Sequence, residues 1–248
     1  MVGTPLQGIK VPLTTVLEVV FLSYCGKHGL TAAELSRWHD LNYSTALSLK
    51  HRLQLWMGLS VSAFKFADCI VQADETYVPI GTGLGPGIKL NPGLGSQRQK
   101  PIISLVEDGG QGRAKTFVVN HVNEKTMKKI FEENVDTSAT VYTDGNPVYH
   151  FLSDKGYLHF SCDHSKKIYS RNGVNVNTAE GLHSVLKSKI LHVHRGVTEL
   201  HLQKYADEIT WLFMNRNRTA FDAINSLFEA LPPLHKKGNI EPNHNFRK

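Results

Sequence analysis

The chain is organised around residues 69–78, which read CIVQADETYV. Apolar and β-branched residues dominate this run, as in a strand that is largely buried on both faces. Asp74 stands in its middle, and an ionised carboxylate in a buried strand is costly unless it is paired or bound to a metal. The run therefore predicts a buried strand whose acid needs a partner.

Downstream of this strand, strand-like and helix-like patterns alternate. Strands are predicted at residues 101–106, 115–120, 139–143 and 157–162, and helices at 124–134, 178–194 and 198–215, with a short helix from Pro147. The motif Asp108-Gly109-Gly110 is typical of a hairpin turn. The resulting order, βββαβαβα, indicates an α/β fold with a mixed sheet and helices packed on it.

The first third of the chain reads as helices, predicted at residues 12–24, 32–38 and 43–57. Thr31 and Glu34 form a capping-box pattern at the start of the second helix. A tight turn before the third helix indicates a helix-turn-helix, and a three-helix cap packed on the next domain is the alternative. In a helix-turn-helix the residues facing DNA would be Tyr43, Ser44, Ser48, Lys50, His51 and Arg52.

These patterns divide the chain into three segments: a helical helix-turn-helix module at 1–60, an α/β domain at 66–220 and a polar C-terminal tail at 232–248. The glycine-rich stretch 79–97 is predicted to be a flap beside the first strand. It is not a phosphate loop, because no helix follows it directly and the Lys-Ser/Thr pair is missing.

Composition narrows the class of protein. The 248 residues carry a net charge of +6 and are 41% hydrophobic, which describes a globular chain with a core. Three cysteines without a C-x-x-C motif argue against a disulfide framework or a cysteine zinc site. No apolar run is long enough to span a bilayer, so we expect no membrane partner and a cytoplasmic, nucleoid-associated protein if the source is bacterial.

Two more carboxylates accompany Asp74. Asp144 ends a predicted strand and Glu180 lies in the first turn of a predicted helix. Each alone has a structural explanation, as a turn former or a helix-start acid, but on these elements the three acids can converge at one edge of the sheet. Such a cluster suits two hard divalent cations about 3.5–4 Å apart.

Helical spacing separates the helix that carries Glu180 into two sides. The apolar side consists of Leu182, Val185, Leu186, Ile190 and Val193, and the opposite stripe of Glu180, His183, Lys187 and His194. From residue 164 to residue 195 there are six Lys or Arg and a single acid, which predicts strongly salt-dependent binding to a phosphate backbone.

Four motifs carry a family resemblance. They are DETYV at 74–78, YTDG at 142–145, HSK at 164–166 and NxNTxEGxxSxLK at 175–187. Together they resemble the DDE transposases of bacterial insertion sequences, in the group related to the eukaryotic Merlin transposons. The similarity extends over about residues 3–218.

The resemblance implies an RNase H-like catalytic domain in which Asp74, Asp144 and Glu180 are the catalytic, metal-binding triad for two Mg²⁺ ions, with Mn²⁺ able to substitute. It also implies that Lys187 contacts DNA and that residues 30–57 form the DNA-binding helix-turn-helix. Other basic groups expected on the DNA are His164, Lys166 and Lys189.

This chain departs from the family pattern in three places. Family members usually carry a cysteine zinc ribbon before the helix-turn-helix, and this chain starts after that position. The pair Leu182-His183 stands where the family often has two aromatic residues, and Leu212 stands where an arginine is usual.

The leading hypothesis is a transposase that frees the 3′ ends of its element by hydrolysis and joins them to target DNA. Double-stranded DNA is the expected partner, and a homodimer or larger assembly is expected on DNA because two ends must be held together. The alternatives are a truncated or repurposed transposase that only binds DNA, and an RNase H-like nuclease.

Overall fold

The computed structural model describes residues 3–26, 29–81, 99–109, 112–162, 175–194 and 196–231. Most of the predicted flap at 79–97 and all of the predicted tail at 232–248 lie outside these ranges. Within them, no helix is both long and apolar enough to cross a membrane. Cys25 and Cys69, whose side chains are described, are free thiols.

Five strands form one mixed sheet in the order β3-β2-β1-β4-β5. The strands are β1 (Ile70–Pro79), β2 (Gln99–Asp108), β3 (Ala114–Val118), β4 (Thr140–Asp144) and β5 (Leu158–Cys162). The first three pair antiparallel, whereas β4 runs parallel to both β1 and β5. This confirms the predicted mixed sheet with flanking helices, with the strand of residues 69–78 at its centre.

Eight α-helices accompany the sheet in the described part of the chain. They are α1 (Leu13–Cys25), α2 (Ala32–Trp38), α3 (Tyr43–Ser62), α4 (Glu124–Asn134), α5 (Phe151–Asp154), α6 (Asn177–Ser188), α7 (Glu199–Asn215) and α8 (Ala220–Glu229). A 3-10 turn precedes α5 at Pro147–Tyr149.

The continuous helix predicted at 178–194 changes to a π-turn at Lys189–Val193, where the His194 N–H donates a hydrogen bond to the Lys189 carbonyl. The π-turn is followed by Gly196, where a Cβ would collide with the Gly81 carbonyl.

The two faces of the sheet pack against different helices. On one face, Val71 and Ala73 join Phe131 of α4 and Leu152 of α5 in a fully buried core. On the other face, a second core forms between the sheet and α6 and α7 and includes Val78, Ile102, Leu186 and Ile209. Because side chains alternate along β1, Asp74 belongs to the face covered by α6.

The N-terminal helices share a core with α7 and α8. Val19, Leu53 and Trp56 pack with Trp211 of α7 and Leu227 of α8, and Trp56 Nε1 donates a 2.6 Å hydrogen bond to the Leu227 carbonyl. Residues on both sides of position 60 thus contribute to one core. Trp56 and Trp211 are fully buried in this core, whereas Trp38 is 56% exposed.

A buried ion pair joins α3 to α7. Lys50 Nζ lies 2.9 Å from both Glu208 carboxylate oxygens and donates to the Leu30 carbonyl at 2.6 Å, while Gln54 Nε2 donates to Glu208 at 2.7 Å. Burial alone would raise the pKa of Glu208, but the charge of Lys50 holds that pKa below its usual value. The prediction that Lys50 faces DNA is wrong in this structure, because its stripe of α3 faces α7 and the residue is 3% exposed.

Asp207 is a second acid at the contact between α7 and α3. Its Oδ1 accepts a 2.8 Å hydrogen bond from Gln203, and a Cβ added to Gly58 of α3 would lie 2.8 Å from its Oδ2. Burial raises the pKa of Asp207 from 3.8 to about 7. The carboxyl group therefore keeps its proton in the folded chain at pH values where the unfolded chain has lost it.

This proton makes stability depend on pH. As pH rises from about 4 to about 7, only the unfolded state has lost the proton, so stability falls and stays lower above pH 7. The full shift corresponds to about 4 kcal/mol, which the partial exposure of the side chain reduces to about 2 kcal/mol. We expect Asp207→Asn to stabilise the protein by about 2 kcal/mol at pH 8 and to leave it unchanged at pH 4, as measured by urea unfolding.

The matched control is Asp154→Asn, which changes an exposed acid in α5. It should give no gain at either pH. An equal effect of Asp207→Asn at pH 4 and pH 8 would contradict the assigned titration.

Candidate active site

Asp74 and Asp144 lie next to each other on neighbouring parallel strands. Ala73 pairs with Thr143 in the β1–β4 ladder, which places the two acids at the next register position, where β4 ends. Val141 points into the core on the α4 side, so by alternation Asp144 points to the face covered by α6, as Asp74 does. Two of the three predicted acids therefore share one face and one edge of the sheet.

The turn after Asp144 is held by Glu75. The Asn146 N–H donates to Asp144 Oδ1 at 3.1 Å, and the Asn146 amide donates to Glu75 Oε1 at 2.6 Å. The hydroxyl of Tyr149, which is fully buried, donates to Glu75 Oε2 at 2.8 Å. Burial raises the pKa of Glu75, and the nearby charges of Asp144 and Asp74 add to the rise. Through its hydrogen bond to Asn146, Glu75 therefore holds the turn that follows Asp144, although the two acids lie on opposite faces of the sheet.

The helix that carries Glu180 is fixed to β1 by Gln72. Gln72 Oε1 accepts hydrogen bonds from the backbone N–H groups of Thr178, at 2.9 Å, and Ala179, at 3.1 Å. Gln72 is fully buried and lies on the same strand face as Asp74. The first turn of α6, including the exposed Glu180, is thereby held close to the strand that carries the first acid.

The chemistry of these side chains fits a hard divalent cation, because carboxylate oxygens are the ligands that Mg²⁺ and Mn²⁺ accept. Asp74 and Asp144 supply such oxygens on one face, and Glu180 projects from the adjoining helix. In the described part of the chain, however, no three His, Cys, Asp or Glu side chains are grouped closely enough to hold a metal ion. The three acids thus lie on adjoining elements, but their side chains are not close enough together to bind one metal ion.

Comparison with known proteins identifies the family of this chain. A model of the ISXO2-like transposase domain matches residues 66–213, more than half of the chain. The chain belongs to the ISXO2-like transposase family. The matched segment contains Asp74, Asp144 and Glu180, and it confirms the predicted resemblance to transposases. The closer relation to Merlin transposons stays a prediction. No match was found among curated proteins.

Solved structures similar to this ISXO2-like transposase include three complexes of the Mos1 transposase. A pre-cleavage Mos1 transpososome is 9% identical, with 82% of this chain and 75% of that chain covered and a TM-score of 0.33. The mariner Mos1 paired end complex with Mg is 12% identical, with coverages of 87% and 76% and a TM-score of 0.33. The Mos1 strand transfer complex is 10% identical, with coverages of 87% and 77% and a TM-score of 0.31. Scores this low do not establish a shared fold, so the family assignment rests on the matched domain.

The basic groups predicted on the DNA side of the transposase domain fall into three sets. Lys187 is exposed on the same helix as Glu180. Lys189 is half-buried beside Lys50 and Glu208, and burial lowers its pKa, so it belongs to the interior rather than to the exposed stripe. His164 and Lys166 lie outside the described residues.

The histidines assigned to the outer stripe of α6 do not lie there. His183 is 6% exposed and faces the sheet, because its position borders the apolar face formed by Ala179, Leu182 and Leu186. His194 is half-buried, and burial lowers its pKa to about 4, so it is uncharged at neutral pH. The exposed stripe near Glu180 is therefore less basic than the sequence predicts.

On α3 of the transposase, the predicted DNA-facing residues are also divided. Tyr43 is 56% exposed, and Ser44 and Ser48 are exposed on the same part of the helix. Arg52 donates to the backbone carbonyls of Pro5 and Gln7 at 2.9 and 2.6 Å. The ring of His51 contacts that of His201 in a tilted arrangement, with ring centroids 4.3 Å apart, and burial lowers the pKa of His51 to about 4. The start of α3 is thus the part of the predicted recognition helix that is open to a partner.

Proposed function

We propose that this ISXO2-like transposase cleaves DNA at the ends of its element and joins the freed 3′ hydroxyls to target DNA. The observation that carries the proposal is the placement of Asp74 and Asp144 side by side on one face of β1 and β4, inside the matched transposase domain. The attachment of α6 to Gln72 supports a role for Glu180 at the same edge.

Asp74, Asp144 and Glu180 would hold the divalent ions, as carboxylate ligands. When bound, Mg²⁺ or Mn²⁺ would polarise a phosphoryl oxygen and lower the pKa of an attacking water or hydroxyl group. The protein's own part is positional. Gln72 keeps the first turn of α6 against β1, and the Asn146 N–H holds one oxygen of Asp144.

Both proposed steps are displacements at phosphorus. In the first, a water oxygen forms a bond to the phosphorus atom at the element end, and the bond to the 3′ oxygen breaks, leaving a 3′ hydroxyl. In the second, that hydroxyl attacks a phosphodiester of the target, whose own 3′ oxygen leaves. Neither step needs a covalent bond to the protein, so no nucleophilic side chain is required.

DNA contacts would come from two surfaces. Lys187 lies exposed on α6 beside the proposed site, where a lysine can pair with a backbone phosphate. Tyr43, Ser44 and Ser48 lie at the exposed start of α3, the second helix of the proposed helix-turn-helix. Because two element ends must be joined to one target, we also propose that the protein acts as a dimer or larger assembly on DNA.

The proposal is tested with duplexes that carry the DNA sequences flanking the gene. In Mg²⁺, the protein should nick the strand at the element end and leave a 3′ hydroxyl, and chelation with EDTA should abolish the nick. Binding without cleavage in either Mg²⁺ or Mn²⁺ would overturn the enzymatic role and leave a DNA-binding protein. Cleavage of an RNA–DNA hybrid, with the element ends left intact, would instead indicate a nuclease.

A further inference from the structure

A buried histidine links the first acid of the proposed site to the neighbouring strand. His183 Nδ1 lies 3.3 Å from Asp74 Oδ2, and its Nε2 lies 3.0 Å from the hydroxyl oxygen of Ser104. Ser104 is fully buried and is the cross-strand partner of Asp74 in the β1–β2 ladder. The imidazole ring therefore joins α6, β1 and β2 at Asp74.

The hydrogen-bonding capacity of Ser104 and Asp74 indicates which nitrogen of the His183 ring carries the proton. The Ser104 hydroxyl can donate to Nε2, which leaves the proton of a neutral imidazole on Nδ1, the nitrogen that faces Asp74. The other oxygen of Asp74, Oδ1, accepts a 2.9 Å hydrogen bond from the Glu75 N–H. Each carboxylate oxygen thus has a fixed neighbour and still has a lone pair for a cation.

The surroundings of His183 favour a polar role over simple packing. The other buried side chains on this face of α6 are apolar, and an imidazole costs free energy in such a place unless its nitrogens have partners. Both of its nitrogens find them, one at Asp74 and one at Ser104. A residue that only filled space would need neither contact.

We propose that His183 is a positioning residue for Asp74: anchored by Ser104, it fixes the orientation in which the Asp74 carboxylate accepts a divalent cation. The inference rests on the proposed function, because it requires Asp74 to be a metal ligand. An acid that is already oriented loses less conformational freedom when the cation binds, and groups that orient metal ligands typically contribute about 10–100-fold to metal affinity.

The test is the affinity of the full chain for Mn²⁺, measured from the electron paramagnetic resonance signal of the free ion. His183→Phe keeps a ring but removes both nitrogens, and should weaken Mn²⁺ binding by about 10–100-fold. His183→Asn retains an N–H group at the position of Nδ1 and should bind Mn²⁺ more tightly than His183→Phe. Ser104→Ala keeps the imidazole but removes its anchor, so it should weaken binding to a smaller degree. Thermal melts establish that each variant is folded.

Asp74→Asn separates the two claims. If Asp74→Asn binds Mn²⁺ as tightly as the unchanged protein, the proposed metal site fails and the role of His183 fails with it. If Asp74→Asn weakens binding while His183→Phe binds as tightly as the unchanged protein, or more tightly, only the positioning role is overturned. Should His183→Phe not fold, Ser104→Ala decides, because unchanged affinity in that folded variant would also overturn the role.

Discussion

Asp144→Asn should reduce Mg²⁺-dependent cleavage of the element ends by about 10³-fold or more, which corresponds to about 4 kcal/mol in the activation barrier. Asparagine has the size of aspartate, and its carbonyl can still accept the hydrogen bond from the Asn146 N–H. The substitution therefore removes a negative charge and a cation ligand with little change in packing. The measurement is the rate of nick formation on a labelled duplex.

Binding to the same duplex should change little in this variant, because the proposed helix-turn-helix and Lys187 are untouched. The matched control is Asp136→Asn, an acid that precedes β4 and accepts a 3.0 Å hydrogen bond from the Ser138 N–H. That control should cleave at the rate of the unchanged protein. Cleavage by Asp144→Asn at a similar rate would remove Asp144 from the mechanism.

Lys50→Met should destabilise the folded protein by about 3–5 kcal/mol, because it leaves the Glu208 carboxylate buried without its cation. Among the described residues, only Gln54, at 2.7 Å, would still donate to that carboxylate from a side chain. Both residues of the pair are at most 5% exposed, so water cannot replace the lost charge without opening the contact between α3 and α7. Urea unfolding measures the loss, with the buried Trp56 and Trp211 as fluorescent reporters.

Two comparisons isolate the charge. The double variant Lys50→Met, Glu208→Leu removes both charges and should recover most of the stability, since apolar pairs of similar volume often replace buried ion pairs at little cost. Lys155→Met breaks the exposed pair with Glu132 and should cost less than about 1 kcal/mol. A loss of under about 1 kcal/mol in Lys50→Met would show that Glu208 does not depend on Lys50.

The strands and most helices could be predicted from the sequence because the patterns that indicate them lie within each element. The run at 69–78 is rich in β-branched residues, and the helix predicted at 124–134 has the observed bounds of α4, where Asn123 caps the first turn. α8 was missed although it carries a local signal: the Thr219 side chain accepts the Asp222 N–H at its start. The pattern Thr219-x-x-Asp222 is typical of a helix start and so predicts this helix.

The contacts around Asp74, Asp144 and Glu180 could not be predicted in the same way, because they join distant parts of the chain. Gln72 meets Thr178, and His183 meets Ser104, only after the sheet and α6 have packed together. The burial of Lys50 also depends on a contact between distant parts of the chain. A lysine on a helix is expected to be exposed, and its buried partner, Glu208, is 158 positions away in the sequence. Helical spacing specifies a face, but it does not identify the partner.

The central claim, that these carboxylates bind the divalent ions used in strand cleavage, is tested most directly by a change of metal preference. In Asp144→Cys a soft thiolate replaces a hard carboxylate, and Mn²⁺ accepts such a ligand more readily than Mg²⁺ does. We expect Asp144→Cys to lose cleavage in Mg²⁺ and to regain part of it in Mn²⁺, while Asp136→Cys cleaves normally in both. Full activity of Asp144→Cys in Mg²⁺, or an equal loss in the two metals, would contradict direct coordination by Asp144.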